Sequence, residues 1–191
     1  MGCHVATDDD VVLLDATGAP SGSAPRSAVH GAATPLHLAF SCHVQDAAGR
    51  VLVTRRALGK RTWPGVWTNA VCGHPRPGER VGDAVVRRAR EELGAHLGGL
   101  RLVLPEFRYR AVDASGVVEN EVCPVYVARL EGDLRPDPAE VMEVTWAEPT
   151  ELGEAIRLAP WAFSPWLVLQ ARELELLGGR VDVGASAGGR S

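Results

Sequence analysis

Apolar positions recur along this chain with two periods, and those periods place its elements. Val85, Val86, Ala89 and Leu93 fall at helical spacing with Gly94 behind them, which predicts a helix over residues 81–93. Arg87 with Glu91 and Arg88 with Glu92 are then neighbours one turn apart on that helix. Apolar runs at residues 11–14, 36–44, 51–54, 100–104, 106–112, 117–130 and 141–146 read as strands. The second turns through Ala48-Gly49 into the third as a hairpin, and Asp113-Ala114-Ser115-Gly116 joins 106–112 to 117–130. Residues 20–25 read as a loop after a Thr17-Gly18 turn. Residues 57–68, with Gly59, Pro64 and Gly65, read as an irregular loop whose Trp63 and Trp67 rings need something to pack on. A short helix near 148–157 and a last one from about 164 to 177, capped by Ser164 with Pro165 in its first turn, complete the order. The Gly- and Ser-rich residues 178–191 read as a flexible tail. No repeat is present, and this is not the alternation of a doubly wound fold. The pattern predicts one α+β domain over residues 1–177, a mixed β-sheet sandwich flanked by helices.

Composition sharpens this only in part. With 191 residues, 46% hydrophobic and 23% charged, the chain can bury a full core. The longest stretch without formal charge, residues 27–45, holds His30, His37, His43, Pro35 and Gln45, so no membrane span is expected. The start lacks a basic, then apolar, leader. Cys3, Cys42, Cys72 and Cys123 are scattered without a CxxC pair, which suits free thiols in a reducing cytoplasm. A monomer is the expected state. The formal charge of −4 argues against a general grip on nucleic acid or anionic lipid. Residues 50–90 nevertheless carry ten basic side chains against Glu79 and Asp83, a local +8 that leaves −12 for the rest. Such a segment suits a small, highly charged anion such as a diphosphate.

Several residues could carry chemistry. Glu119 and Glu121 lie two apart on a predicted strand, so both carboxylates project from one face, as a metal-binding pair could. His30, His37 and His74 bring imidazoles from separate segments, although each alone also reads as an ordinary surface or core residue. Cys72 alone reads as a small buried apolar residue.

Gly73, Glu79, Arg87, Glu91, Glu92 and Gly94 fall in the register of a Nudix box, the loop–helix–loop that binds metal and diphosphate. Arg88 stands where the box has glutamate. That exchange removes a carboxylate and adds an anion-binding fork, which favours holding a diphosphate over metal-assisted attack on it.

A longer likeness spans residues 10–170. Leu36-His37-Leu38-Ala39-Phe40-Ser41, Arg55-Arg56-Ala57-Leu58, Trp63-Pro64-Gly65-Val66-Trp67-Thr68-Asn69, Val71-Cys72-Gly73-His74-Pro75, Phe107-Arg108-Tyr109-Arg110-Ala111, Glu119-Asn120-Glu121-Val122-Cys123-Pro124-Val125 and Pro160-Trp161-Ala162-Phe163-Ser164-Pro165-Trp166 resemble, in order, the type I isopentenyl-diphosphate isomerases. The resemblance implies a Nudix-like fold and the transposition of the double bond of isopentenyl diphosphate to give dimethylallyl diphosphate. It implies Cys72 and Glu121 as catalytic partners on opposite faces of the carbon chain, with Tyr109 beside Glu121. It implies one metal on His30, His37, His74, Glu119 and Glu121. A Mg²⁺ on Glu92, the diphosphate and the backbone carbonyl of Cys72 is also implied. Arg56, Lys60, Arg88 and Arg26 would grip the diphosphate, Arg26 standing where lysine is expected.

The chemistry suits these types. Protonating an unactivated alkene creates a tertiary carbocation, so an acid, a base across the plane and shelter for the cation are needed. The expected order is Glu121 with Tyr109 as donor and Cys72 as the C2 base, and the residues by themselves do not fix which of the pair acts first. The resemblance suggests Trp166 to shelter the cation with its π-face. Three imidazoles and two carboxylates suit Mn²⁺ or Zn²⁺, and one carboxylate with phosphates suits Mg²⁺. A Nudix hydrolase and a non-enzymatic anion-binding module are the alternatives.

Hairpin register supplies a check on Tyr109. A three-residue loop Ala114-Ser115-Gly116 places Tyr109 across from Glu121, whereas a two-residue turn at Ser115-Gly116 puts them on opposite faces.

Overall fold

The structure, a computed structural model, describes residues 9–174. Its elements in chain order are β1 (Asp10–Leu14), β2 (Pro20–Pro25), α1 (Arg26–Val29), β3 (His37–Leu38), β4 (Phe40–Gln45), β5 (Val51–Arg56), β6 (Trp67–Thr68), β7 (Val71–Gly73), α2 (Val81–Leu93), β8 (His96–Leu104), β9 (Arg108–Val112), β10 (Val118–Val122), β11 (Val125–Glu131), β12 (Val141–Ala147), α3 (Pro149–Leu158), a 3-10 turn (Pro160–Ala162) and α4 (Pro165–Glu173). One sheet runs β2-β1-β3-β10-β9. The other follows β12-β5-β4-β11-β8, with β6 beside β5 and β7 beside β4. This is the expected α+β arrangement.

Alternation on the central strands decides what covers each face. Phe40, Cys42 and Val44 of β4 and Leu52 of β5 pack on Ala84, Val85, Ala89 and Leu93 of α2. On the other face, Val51 and Val53 meet Leu152 and Ile156 of α3 and Leu167 and Ala171 of α4. Fully burying one such side chain stabilises the fold by roughly 1.5–3 kcal/mol. Arg88 and Glu92 also lie on the buried side of α2, in line with Ala84 at four-residue steps. The helix thus carries two charged groups into the interior.

Two expected strands are each divided. Residues 36–44 become β3 and β4, and residues 117–130 become β10 and β11, each pair split between the two sheets. The breaks lie side by side: Ala39 N–H donates to the Val122 carbonyl at 2.9 Å, and Ser41 N–H to the Pro124 carbonyl at 3.1 Å. Both chains change sheet together, at a proline that has no N–H to give. Apolar runs cannot reveal such a break, because both halves are buried.

Residues 20–25 are not a loop but the edge strand β2, paired with β1 from Asp10↔Pro25 onward. Its ladder is made by main chain, and its exposed small residues carry no alternation to read. Strand β8 starts earlier than expected, at His96, because the backbone at Gly98 and Leu97 pairs with β11. Strand β9 starts later, at Arg108. The hairpin expected between β4 and β5 keeps one pair, Gln45↔Val51, before the strands diverge to other partners. Ser164 caps α4 as expected, its Oγ accepting from Leu167 N–H at 3.4 Å. Residues 175–177 of the expected last helix, the tail 178–191 and Cys3 lie outside the described residues.

Gly94 ends α2 in the left-handed region at φ +58°. A Cβ there would lie 2.9 Å from the carbonyl oxygen of Arg135, whose N–H donates to the Leu93 carbonyl at 2.7 Å. Gly94→Ala is therefore expected to cost about 2–3 kcal/mol through backbone strain and the lost docking of residues 135–140. Chemical denaturation measures it, and an unchanged midpoint would contradict the close approach.

Candidate active site

Strand β10 is the centre of the site, because its neighbours are set by register. Glu121 pairs with His37 of β3 on one side and with Tyr109 of β9 on the other. The β9–β10 loop is the three-residue one: Asp113 N–H donates to the Val117 carbonyl at 2.9 Å, and Gly116 has φ +85°. Tyr109 and Glu121 accordingly share a face. They line a cavity of about 420 Å³ with His30, His74, Cys72, Arg26, Arg56, Lys60, Glu92, Glu119 and Trp166.

The three histidines converge from the end of α1, from β3 and from the residue after β7. Their ring centroids stand 5.0–5.4 Å apart, and ligand atoms of His30, His37, His74 and Glu121 lie within 4.8 Å of one another. Glu119 joins them, its Oε2 3.0 Å from His30 Nε2. His37 Nδ1 lies 2.9 Å from the Pro35 carbonyl, which can only accept, so Nδ1 carries the proton and the Nε2 lone pair faces the cluster. His30 Nε2, His37 Nε2 and Glu119 Oε2 are buried and face only other atoms of the cluster, without a well-formed hydrogen bond. Convergent buried lone pairs without donors are what a divalent cation satisfies, so the donor set fits a metal.

Charge is unevenly divided here. Burial opposes ionisation of Glu121, but His37 and His74 hold its carboxyl well below the usual carboxylate range. Burial and the Glu121 charge push Glu119 up. Burial also pushes His74 down to about 4, which keeps its imidazole neutral and able to ligate.

Cys72 enters from β7, paired with Ser41 of β4. Its Sγ lies 3.1 Å from Asn69 Oδ1 and 3.6 Å from Ser41 Oγ. Burial pushes the thiol up to about 11, against the opposing pull of the Ser41 hydroxyl, while Glu92 adds to the rise. Tyr109 is likewise held well above its ordinary value, first by burial and then by the charge of Glu121. Trp166 Nε1–H donates to the same Asn69 Oδ1 at 2.9 Å, and the Tyr109 ring lies 5.8 Å from the indole. The Arg56 guanidinium stands 5.5 Å from the indole centroid. It donates to the carbonyls of Thr62 and Trp63, the latter residue held at φ +43°, where a bulky side chain rarely sits.

The expected cations do not all occupy one wall. Arg26, Arg56 and Lys60 line the main cavity, whereas Arg88 lines an adjoining recess with Arg26, His74, Arg76, Arg87 and Glu91. Arg88 packs over Gly73, where a Cβ would come within 3.0 Å of its side chain. It forms ion pairs with Glu92, with Glu91 at 3.0 Å and with Glu140 at 3.4 Å. Arg87 instead serves the loop before α2, bonding Glu79 at 2.7 Å.

Sequence reasoning missed Asn69, Ser41 and Glu140. Asn69 joins Cys72 to Trp166, and Ser41 stands between Cys72 and Cys123, 3.4 Å from the latter Sγ. Isolated amides and hydroxyls carry no spacing signal. Glu140 sat in a segment read only as the approach to a strand. Among the described residues no helix is long and apolar enough to cross a membrane.

The sheets, the helix α2 and the loop that leads into it define a Nudix-type domain, and the NUDIX domain profile matches residues 35–171. A solved protein of Deinococcus radiodurans shares this fold, with a TM-score of 0.66 at 20% identity over 86% of this chain and 98% of its own. A MutT protein from Methanosarcina mazei gives 0.54 at 20% identity, over 73% and 95%. Sequence places the chain more narrowly. It is 63% identical over 172 residues to an isopentenyl-diphosphate Delta-isomerase of Agromyces mediolanus, covering 90% of this chain and 84% of that one. It is 62% identical to the enzyme of that name from Frankia alni, covering 88% and 87%. The chain belongs to the isopentenyl-diphosphate Delta-isomerase family of the Nudix superfamily.

Proposed function

We propose that the protein interconverts isopentenyl and dimethylallyl diphosphate in isoprenoid biosynthesis, adding a proton at C4 of the former and removing one from C2. The observation that carries this reading beyond family membership is one cavity lined by a thiol, a carboxylate and a phenol beside a cationic wall. Hydrolysis of a diphosphate needs none of those three groups where they stand.

The surroundings of the two groups bear on the order that the sequence left open. Burial raises the Cys72 thiol and His37 and His74 lower the Glu121 carboxyl, which suits the thiol to give a proton and the carboxylate to take one in one direction of the reaction. The reverse transfer serves the back reaction. Tyr109, kept as a phenol, can donate a hydrogen bond on the Glu121 side. Trp166 offers its π-system to the cation formed at C3, which is worth ~1–2 kcal/mol where water is excluded. Asn69 fixes the indole and the thiol relative to each other.

His30, His37, His74, Glu119 and Glu121 would hold one divalent ion, and their donor chemistry suits Mn²⁺ or Zn²⁺. Glu92 with the Cys72 carbonyl would hold Mg²⁺ together with the substrate's phosphates. Bound there, such ions would supply positive charge to the carboxylate and phosphate oxygens. Arg26, Arg56, Lys60 and Arg88 would take the remaining anionic oxygens. We read the protein as a cytoplasmic monomer acting on a small diphosphate, with neither nucleic acid nor membrane as partner.

Incubation with isopentenyl diphosphate, Mg²⁺ and Mn²⁺ in D₂O, followed by NMR, tests this reading. Deuterated dimethylallyl diphosphate is expected. Free phosphate would make the protein a hydrolase, and an unchanged substrate would leave only a binding role.

A further inference from the structure

Glu140 is a partly buried carboxylate in the cavity wall that the proposed chemistry does not use. It sits where the cations point. Lys60 Nζ contacts its Oε2, Arg88 approaches its Oε1 at 3.4 Å, and the charge of Arg26 also acts on it. Three of the four cations assigned to the diphosphate thus act on this one protein carboxylate. Burial disfavours its charge, but Lys60, Arg88 and Arg26 hold it below the usual range, so it remains ionised.

Backbone contacts fix it there. Asp137 N–H donates to the Glu92 carbonyl at 2.8 Å, and Glu140 N–H donates to the Asp137 carbonyl at 3.0 Å. The Glu140 carbonyl in turn accepts from Ala57 N–H at 3.0 Å. The backbone is therefore pinned between the last turn of α2, one turn beyond Arg88, and the loop that carries Lys60. Its position does not depend on the ion pairs it makes.

We propose that Glu140 is a specificity-determining residue, an internal anion that holds Lys60 of the cavity and Arg88 of the adjoining recess until a diphosphate displaces it. The proposal rests on the diphosphate reading of that wall. A ligand bearing one phosphoryl group has to compete for Lys60 and Arg88 with a carboxylate already in place. A diphosphate brings more charge and a second phosphoryl group that can engage Arg56 outside the Glu140 contacts. The carboxylate thereby sets a threshold of ligand charge, penalising monophosphates more than diphosphates.

Calorimetric titration of the full-length protein with inorganic phosphate and with inorganic pyrophosphate tests this, in wild type, Glu140→Gln and Glu140→Asp. Glutamine keeps the shape and loses the charge. In Glu140→Gln the phosphate Kd is expected to fall about tenfold and the pyrophosphate Kd by about twofold, so the preference narrows. Glu140→Asp, which keeps the charge on the same pinned backbone, is expected to restore most of the wild-type preference. Weaker binding of both anions in Glu140→Gln would make the residue a strut for Lys60 and overturn the proposal, as would an equal gain for both. A melting temperature for each variant separates these outcomes from misfolding, and if Glu140→Gln does not fold, Glu140→Ala, which also removes the charge, is read in its place with the same narrowing expected. Wild type that binds pyrophosphate no better than phosphate would instead sink the diphosphate reading itself.

Discussion

Cys72→Ala is expected to lose isomerisation by at least about 10³-fold in kcat while pyrophosphate binding stays within about twofold of wild type. The size follows from what is removed. The thiol is one of the two groups assigned to proton transfer, and its neighbours, the Ser41 hydroxyl at 3.6 Å and the Asn69 side-chain oxygen at 3.1 Å, are not acids or bases of the right strength to replace it. The cations proposed to hold the diphosphate, Arg26, Arg56, Lys60 and Arg88, are not hydrogen-bonded to Cys72 and keep their contacts. The fold also tolerates the change, since Cys72 is only partly buried and alanine preserves the β7 pairing with Ser41. Cys72→Ser separates geometry from acidity: it keeps a donor at nearly the same place, and its far weaker acidity should still leave turnover depressed by about 10² or more. Initial rates by NMR and calorimetry with pyrophosphate read both quantities. Wild-type turnover in Cys72→Ala would remove this residue from the reaction.

Much of this site could be read from the sequence because its residues lie in long matching segments. Counting across one hairpin left two pairings for Tyr109, and the three-residue loop in the structure is the one that sets it across from Glu121. Helix α2 was equally plain, with a strong period and a glycine stop. What sequence did not give was the exchange of strands between sheets at Ala39 and Pro124, because buried strands in either sheet are apolar alike. Edge strand β2 was invisible for the converse reason: main-chain pairing alone makes it. The same limit hid Glu140, Asn69 and Ser41. Their roles arise from segments brought together across the fold, such as residues 135–140 docked on the end of α2, and no periodicity encodes that docking. The order of proton transfer between Cys72 and Glu121 is likewise open in the sequence, because burial shifts the Cys72 thiol and burial depth is not written in the motif.

Glu121→Gln is expected to remove turnover and metal together. The carboxylate is approached by two of the three convergent histidines, His74 Nε2 at 3.2 Å and His37 Nε2 at 3.4 Å, and it faces Tyr109 across the strand pair. Glutamine fills the same space but brings no charge, so the cluster loses its lowest-pKa ligand and the reaction loses the group able to take a proton. Loss of one ligand should weaken the metal by 10- to 100-fold or about that, and loss of the base adds a further factor of about 10²–10⁴ in kcat. His74→Ala distinguishes the two contributions. It deletes a ligand but leaves Glu121, Tyr109 and Cys72 in place, so excess Mn²⁺ or Zn²⁺ should restore much of its turnover, whereas no metal concentration should restore Glu121→Gln. Metal content after gel filtration, read by mass spectrometry beside initial rates, gives both numbers. Full rescue of Glu121→Gln by metal would reduce Glu121 to a ligand and leave the proton without an acceptor opposite Cys72. Stoichiometric metal in the dead variant would assign Glu121 to acid–base work alone and leave the ion to the three imidazoles and Glu119.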